Sequence, residues 1–303
     1  MRAGKERVVF DRPQVEVLGE AGYVGVDMHF HSDRSPDSLA RINLVLRKAK
    51  RDGIGVAFTD HNELSAALDF FKNKERVFVI PGIEVTCQEG VHTALYFSDL
   101  PSFREFGKRV LAPLKKVDPF RLPISTVEMM ERAKDHNALV CAPHPFSAGQ
   151  TGLHALKVTR EMERLVDVVE GINSYNLHGM NLKALKWAER IGKPVSGGSD
   201  GHIVAELGQA VTFAKAHDVG SFLDAMRKGR TRVMGVENRL FEKAIVGYEK
   251  ERSFLSRAHK HKEGWRLLHE QLGPECEHIW LSLKRHFKRH RHPFSHHVKA
   301  EHP

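Results

Sequence analysis

Seven short apolar segments recur between residues 24 and 213, and a polar or glycine-containing turn follows each of them. They are Val24–Met28, Ile54–Phe58, Val77–Ile83, Ala138–Ala142, Val166–Ile172, Pro194–Gly198 and Gln209–Phe213. Segments of this length, bounded by turns, are typical of buried strands. Helical stretches such as Leu39–Arg51 and Asn181–Arg190 lie between them. Strands that alternate with helices predict an α/β fold, either a barrel or a doubly wound sheet.

This rhythm is interrupted once and then stops. Residues 99–136 form a more basic, proline-punctuated stretch that ends in an apolar helix near Val127–His136, and we interpret it as an insertion beside the active face. From about Val236 onward, apolar residues fall at helical spacing. We therefore predict an N-terminal lead-in (1–20), a barrel (21–236) and a C-terminal helical, basic, histidine-rich extension (237–303).

Charge and cysteine content narrow the class of protein. Lys and Arg number 47 against 38 Asp and Glu, and residues 251–303 hold 11 basic and 6 acidic side chains, so the tail supplies five of the nine excess charges. Three widely spaced cysteines argue against a disulfide framework or a thiolate zinc site. With no leader-like N-terminus and no apolar run of about 18 residues, a cytoplasmic protein without a transmembrane segment is expected.

Asp27, His29 and His31 alternate where the first predicted strand ends. Alternate side chains of a strand point the same way, so these three are predicted to share one face while Met28 and Phe30 pack on the other. Two imidazoles so placed form a ready-made metal chelate. Two ordinary polar residues at a strand end are the plain alternative.

Other predicted strands end in the same way. Polar clusters follow three of them: Thr59-Asp60-His61, Ala142-Pro143-His144 and Ser199-Asp200-Gly201-His202. The carboxyl ends of the strands of a β/α barrel converge on one mouth, so residues far apart in sequence become neighbours there. Six of the ten histidines before residue 251 lie at the end of the first predicted strand, in these three clusters or in the hairpin described next.

Glu84 and His92 lie in two apolar segments joined by a polar turn near Gln88–Gly90. An antiparallel hairpin centred near residue 88 would set positions 84 and 92 opposite each other on one face. A carboxylate in such apolar surroundings needs a partner, which the imidazole supplies.

Imidazoles and carboxylates without thiolates suit Zn²⁺, Mn²⁺ or Fe²⁺ in hydrolytic sites. Such ions polarise a phosphoryl oxygen and lower the pKa of bound water from 15.7 to about 7. Hydrolysis is therefore the reaction that this ligand set favours.

The order of these motifs resembles that of the polymerase and histidinol phosphatase (PHP) family of metal-dependent phosphoesterases. The matching segments are DMHFHSDRSPDS, TDHN, GIEV with VHTALYF, APHP and GGSDGH, which span roughly residues 21–213. The resemblance implies a distorted (β/α)7-type barrel that holds three divalent ions. It also implies nine ligands: His29, His31, Asp37, His61, Glu84, His92, His144, Asp200 and His202.

The family's usual grouping divides these ligands among three ions. His29, His31, Glu84 and Asp200 would hold the first, Asp37, His61 and His202 the second, and Glu84, His92 and His144 the third. Asp37 also fits an ordinary turn or helix cap.

Further roles are expected for a few residues around the ligands. Asp27 and Asp60 are expected either to orient a ligating imidazole or to stabilise a turn. Arg34 is a candidate donor to substrate phosphate, or a solvated loop charge. Glu84, Asp200 and His202 are the candidate catalytic residues, with His202 a proton donor only where the metal leaves one of its nitrogens free.

The tail also contains HxH pairs, His259/His261 and His290/His292. They lack nearby carboxylates, and in a helix residues i and i+2 do not face each other, so we interpret them as part of a basic surface. Such a surface could contact nucleic acid or an acidic membrane surface, or be simply solvated.

The sequence thus predicts an enzyme that hydrolyses a small phosphate monoester or nucleotide phosphate. Three alternatives stay open: an exonuclease-like activity on short oligonucleotide ends, an amidohydrolase-type hydrolase, and a non-catalytic metal-binding or nucleic-acid-binding module.

Overall fold

The computed structural model describes residues 7–71, 77–147 and 151–238. The predicted C-terminal helices and the two tail HxH pairs lie outside these residues. The strands, numbered β1 to β10 in chain order, are Val8–Val9, Val24–Phe30, Gly55–Phe58, Val79–Thr86, His92–Tyr96, Leu139–Ala142, Val168–Asn173, Val195–Gly198, Ala210–Ala214 and Thr231–Gly235.

Helices connect most of the strands. Numbered α1 to α9, they are Val15–Glu20, Ile42–Arg51, Ser65–Phe70, Leu100–Phe106, Ala112–Lys115, Thr126–Asp135, Arg160–Leu165, His178–Ile191 and Val219–Arg227. A π-helical segment, Gly107–Leu111, joins α4 to α5, and 3₁₀ turns cover Leu153–Ala155 and Val204–Glu206.

The ten described strands form one sheet in the order β1-β10-β9-β2-β3-β4-β5-β6-β7-β8. Strands β2, β3 and β4 pair in parallel, β5 pairs antiparallel with both β4 and β6, and β7 and β8 continue parallel to β6. Strand β9 is antiparallel to both β2 and β10, and β1 is parallel to β10. Eight of the described strands therefore run in the same direction, so their carboxyl ends meet at the same edge.

The sheet curls until its two halves meet. Gly201, just after β8, forms a parallel bridge with Phe30 at the end of β2. The Gly197 amide of β8 also donates to Thr212 Oγ1 of β9, at 2.8 Å. The result is an open, distorted barrel, and the predicted α/β barrel class is confirmed.

The interior of the barrel is apolar. Side chains of β2 to β7 pack there with Phe222 and Met226 of α9, and Tyr96 donates a hydrogen bond to the Met28 carbonyl oxygen. Val26 and Met28 belong to this interior cluster, whereas Phe30 packs with Val56 and Phe58 outside it.

The prediction that Met28 and Phe30 share a face is therefore wrong. The pairing of β2 with β3 shifts register between Asp27 and Phe30, which breaks the alternation of side chains at that point.

The predicted register of the hairpin, with Glu84 opposite His92, is also wrong. Strands β4 and β5 form the expected antiparallel pair, but Thr86 is opposite His92 and Glu84 is opposite Ala94. Glu84 and His92 still share a face because positions 84 and 86 of one strand do.

The predicted insertion contains α4 to α6 and is fastened beside the strand ends. Asn62, which follows the β3 cluster, donates through Nδ2 to the carbonyl oxygens of Pro119 and Phe120, at 3.1 and 3.0 Å. Its Oδ1 accepts the Thr86 amide at 2.9 Å, and the Leu122 amide donates to the Thr86 carbonyl oxygen. These bonds hold residues 119–122, in the middle of the insertion, along the carboxyl end of β4.

Candidate metal centre

All nine predicted ligands come together at the carboxyl edge of the sheet. The donor atoms form four overlapping sets. Within each set the atoms lie within 4.8 Å of one another, and every member is a predicted ligand. The sets are His31/Asp37/His61/His202, His29/His31/Asp200, His29/Glu84/His144 and His61/Glu84/His92.

Glu84 lies at the centre of the cluster and is almost completely buried. Imidazole nitrogens approach Oε1 at 3.0 and 3.2 Å and Oε2 at 3.3, 3.4 and 3.5 Å. They belong to His144 and His92, and to His61, His31 and His29, respectively.

These distances fit shared metal ions. Within the part of the chain that is described, the buried Glu84 Oε2 has no hydrogen-bond partner. Two ligands about 2.1 Å from one ion at a tetrahedral angle are roughly 3.4 Å apart, close to the spacing found here. A cation between these atoms would satisfy a carboxylate oxygen that is costly to bury unpaired.

Asp37, His61 and His202 form the second part of the cluster. Asp37 Oδ2 lies 3.0 Å from His202 Nε2 and 3.4 Å from His61 Nε2. His202 Nδ1 lies 2.8 Å from the Asp200 carbonyl oxygen, so this nitrogen donates and Nε2 faces Asp37. The His202 ring also stacks on that of His31, with 4.3 Å between centroids.

The charges around the cluster favour cation binding. Burial opposes ionisation of Glu84, but the surrounding imidazoles hold the pKa of its carboxyl well below its usual value. Burial likewise opposes ionisation of Asp37, and His202 and His61 lower its pKa well below the usual value. Burial lowers the pKa of His92 to about 4, against the attraction of Glu84.

His29 differs from the other imidazoles. Its burial alone would lower its pKa, but the carboxylates of Glu170, Glu84 and Asp200 raise the pKa well above the usual value. In the metal-free protein these carboxylates therefore favour the protonated form of His29.

Two of the nine residues have strained backbones. His144 has φ 27° and Asp200 has φ 53°, in the region that non-glycine residues rarely adopt. Such conformations cost about 1–3 kcal/mol and cluster at functional sites. Their occurrence at two predicted ligands supports a functional role for this edge.

Sequence reasoning missed Glu170, a buried acid on β7. Its Oε1 lies 3.0 Å from His29 Nδ1, and its Oε2 accepts the His144 amide at 2.7 Å. The signal was an acidic residue inside the apolar segment VVEGIN, which is the reasoning that identified Glu84.

Asp27 and Asp60 contact serine residues and backbone amides. Asp27 accepts the Ser199 hydroxyl at 2.6 Å and the Ser199 and Gly208 amides at 2.9 and 2.8 Å. Asp60 accepts the Ser32 hydroxyl and amide. These bonds match the turn-stabilising role, and burial raises the pKa of Asp27 to about 6 and that of Asp60 to about 7.

Arg34 lies away from these contacts. Its guanidinium is half exposed and donates to Asp69 at 3.1 Å. The role in phosphate binding stays a prediction.

None of the described helices is both long and apolar enough to cross a membrane.

Comparisons with known proteins agree with the motif order. The PHP domain model matches residues 27–133, and the PHP-associated model matches residues 178–231. An uncharacterized protein of Methanocaldococcus jannaschii is 30% identical over 190 residues, which cover 61% of this chain and 68% of that protein.

Solved structures share the fold. A two-domain protein from Bacteroides vulgatus, described as containing a predicted PHP-like metal-dependent phosphoesterase, has a TM-score of 0.55 at 18% identity, over 82% of this chain and 73% of that one. A lesion-specific endonuclease from Pyrococcus furiosus has a TM-score of 0.55 at 16% identity, over 88% of this chain and 83% of that one. An Endonuclease Q complexed with a duplex that carries an abasic lesion has a TM-score of 0.58 at 19% identity, over 71% and 60% of the two chains.

The family models, the relative and the shared fold thus agree with the geometry at the carboxyl edge of the sheet. The chain belongs to the PHP family of metal-dependent phosphoesterases.

Proposed function

We propose that this protein hydrolyses a phosphate monoester of a nucleotide or another small metabolite with divalent metal ions held at the carboxyl edge of the sheet. The observation that carries the proposal is the Glu84 carboxylate. It is buried and lies 3.0–3.5 Å from imidazole nitrogens of five histidines, an arrangement suited to a carboxylate shared between ions.

The nine residues divide among three ions in this proposal. The first is held by His29, His31, Glu84 and Asp200, the second by Asp37, His61 and His202, and the third by Glu84, His92 and His144. The sets His29/His31/Asp200 and His31/Asp37/His61/His202 support the first and second groups. The third group is supported by Glu84 Oε1, which lies 3.0 Å from His144 Nε2 and 3.2 Å from His92 Nδ1. Zn²⁺, Mn²⁺ and Fe²⁺ all suit such ligands.

When bound, the ions supply a Lewis acid for the phosphoryl oxygens and an activated water. The protein's residues fix where this chemistry occurs. Glu84 spans the ligand groups, and Asp200, with its strained backbone, is placed among His29, His31 and His202. Both nitrogens of His202 are engaged, so water is the better proton donor to the leaving alkoxide.

The test is a phosphate-release screen with metal-stripped protein and with protein reloaded with Zn²⁺, Mn²⁺ or Fe²⁺. We expect turnover of at least one nucleotide or sugar phosphate that depends on added metal and is lost in Glu84→Gln and His61→Ala. His217→Ala is the matched control because His217 is exposed and lies outside the cluster. Silence of the reloaded wild type on every phosphate ester would refute the proposal.

A second candidate is cleavage of phosphodiester bonds near oligonucleotide ends. The shared fold with Endonuclease Q and the five excess positive charges of residues 251–303 favour it. Labelled oligonucleotides, with and without an abasic site, belong in the same screen. Their cleavage with falling efficiency at rising salt would favour this candidate over a monoesterase.

Deaminase and lactonase substrates belong in a parallel screen, where turnover of any of them would identify an amidohydrolase. Metal uptake without turnover of any substrate would identify a binding module. A cytoplasmic location is part of the proposal, supported by the buried free thiols of Cys87 and Cys141.

A further inference from the structure

We propose that Glu170 is a positioning residue that sets the orientation of three metal ligands before the metal binds. This inference rests on the proposed metal centre but not on its phosphatase activity. Glu170 lies on β7 and is only 2% exposed, so its charge needs partners within the protein. Its contacts lead to His29, His144 and Asp200.

The contact with His29 fixes which ring nitrogen faces the cluster. A carboxylate only accepts hydrogen bonds, so Glu170 Oε1, 3.0 Å from His29 Nδ1, requires a proton on that nitrogen. His29 Nε2, the other ring nitrogen, lies 3.5 Å from Glu84 Oε2 and 3.7 Å from Asp200 Oδ1. The atom that would bind a metal ion is therefore aimed at the other ligands.

The contact with His144 acts on the backbone. Glu170 Oε2 accepts the His144 amide at 2.7 Å, at the residue whose φ is 27°. A charge-assisted bond to the amide stabilises this unfavourable conformation. The conformation brings His144 Nε2 to 3.0 Å from Glu84 Oε1.

Asn173 extends the arrangement to Asp200. Its Nδ2 donates to Glu170 Oε2 at 2.9 Å and to Asp200 Oδ2 at 3.3 Å. Asn173 is itself fixed by Asn181, whose Oδ1 accepts the Asn173 amide and whose Nδ2 donates to its carbonyl oxygen. One buried acid thus supports ligands from the first and third proposed ion sites, and none from the second.

Glutamine has the shape of glutamate, but it cannot make the same bonds. Its single oxygen can face either His29 Nδ1–H or the His144 and Asn173 donors, and its amide N–H groups then oppose the remaining donors. A role that depends only on filling space would tolerate Glu170→Gln, whereas the positioning role does not.

The experiment compares zinc binding by full-length wild type, Glu170→Gln and Glu163→Gln. Glu163 is the matched control, since it pairs with Arg190 and Trp187 away from the cluster. We expect Glu170→Gln to weaken zinc binding about 10–100-fold at the first and third sites and to leave the second site unchanged. The variant should therefore bind fewer zinc ions per chain than wild type. The control should bind zinc as wild type does.

A second measurement needs no variant. Nitrogen-15 spectra of imidazoles in the zinc-loaded wild type should show His29 protonated at Nδ1 and metal-bound at Nε2. Wild-type zinc binding by Glu170→Gln, or His29 bound through Nδ1, would overturn the inference. Zinc uptake by wild type without phosphate release would refute only the proposed function, whereas no zinc uptake would refute both.

Discussion

Replacement of Gly198 by alanine should displace His29, one of the nine proposed ligands. Gly198 ends β8, and a Cβ built on it would lie 2.3 Å from His29 Cβ, 2.6 Å from the His29 backbone nitrogen and 2.9 Å from Glu170 Oε1. Ordinary carbon contacts are about 3.5–4.0 Å. Strand β8, which carries Gly198, and strand β2, which carries His29, would have to separate by roughly 1 Å. No rotation of a flexible side chain can relieve the contact with the His29 backbone nitrogen.

Overpacking of this kind typically costs about 1–3 kcal/mol. A loss of that size is a large part of the 5–15 kcal/mol that stabilises a typical protein. Because the displaced residue is a proposed ligand, a shift of about 1 Å should also lower catalytic activity about 100-fold. We therefore expect Gly198→Ala to lose both stability and metal-dependent turnover.

Urea denaturation of the metal-free protein measures the stability loss, and zinc titration measures the loss at the site. Gly179→Ala is the matched control, because no atom lies within 4 Å of its added Cβ and Gly179 lies in α8. Alanine there should leave the protein as stable or gain up to about 1 kcal/mol. A Gly198→Ala protein with wild-type stability and zinc affinity would refute the close approach of β8 to His29.

Three further predictions concern the insertion, the protonation of the site and the thiols. Asn62→Ala should lower the free energy of unfolding by about 2–3 kcal/mol because buried backbone groups lose their partners; a loss below about 0.5 kcal/mol in urea denaturation would contradict it. Metal binding at pH 7 should release a proton, because the pKa of His29 is raised in the metal-free protein and its bound form must be neutral, so affinity rises with pH until that pKa is passed. Calorimetry in buffers of different ionisation enthalpy tests this, and identical heats would contradict it. In a Cys276→Ala background, Cys87 and Cys141 should react with a thiol reagent only after unfolding, because burial raises both thiol pKa values, that of Cys87 to about 12; rapid labelling of the native protein would contradict it.

The site could be found from the sequence because strands that share a direction end at the same edge. That rule brings His61, His144 and Asp200 together, although they come from different strands, and the structure places them as expected. The grouping of ligands into ions came from the family resemblance, and it remains a proposal.

Local irregularities could not be predicted from the pattern of residue types. The register shift in β2 and the register of the β4–β5 hairpin depend on backbone geometry that alternation does not encode. Strand β10, Thr231–Gly235, was missed because Arg232, its second residue, weakens the apolar signal. Its pairing with β9 also cannot be read from the sequence pattern. Glu170 was missed because an acid inside an apolar segment shows that a partner is needed but not which partner it has.

In the proposed metal centre, nine residues from several strand ends hold divalent ions. Anomalous diffraction at the zinc edge from crystals of zinc-loaded protein tests it most directly. We expect zinc peaks enclosed by these nine residues, each about 2.0–2.2 Å from imidazole nitrogens and carboxylate oxygens, with Glu84 bound to more than one ion. Crystals of zinc-loaded protein with no peak among the nine residues, and zinc bound only elsewhere on the chain, would contradict it.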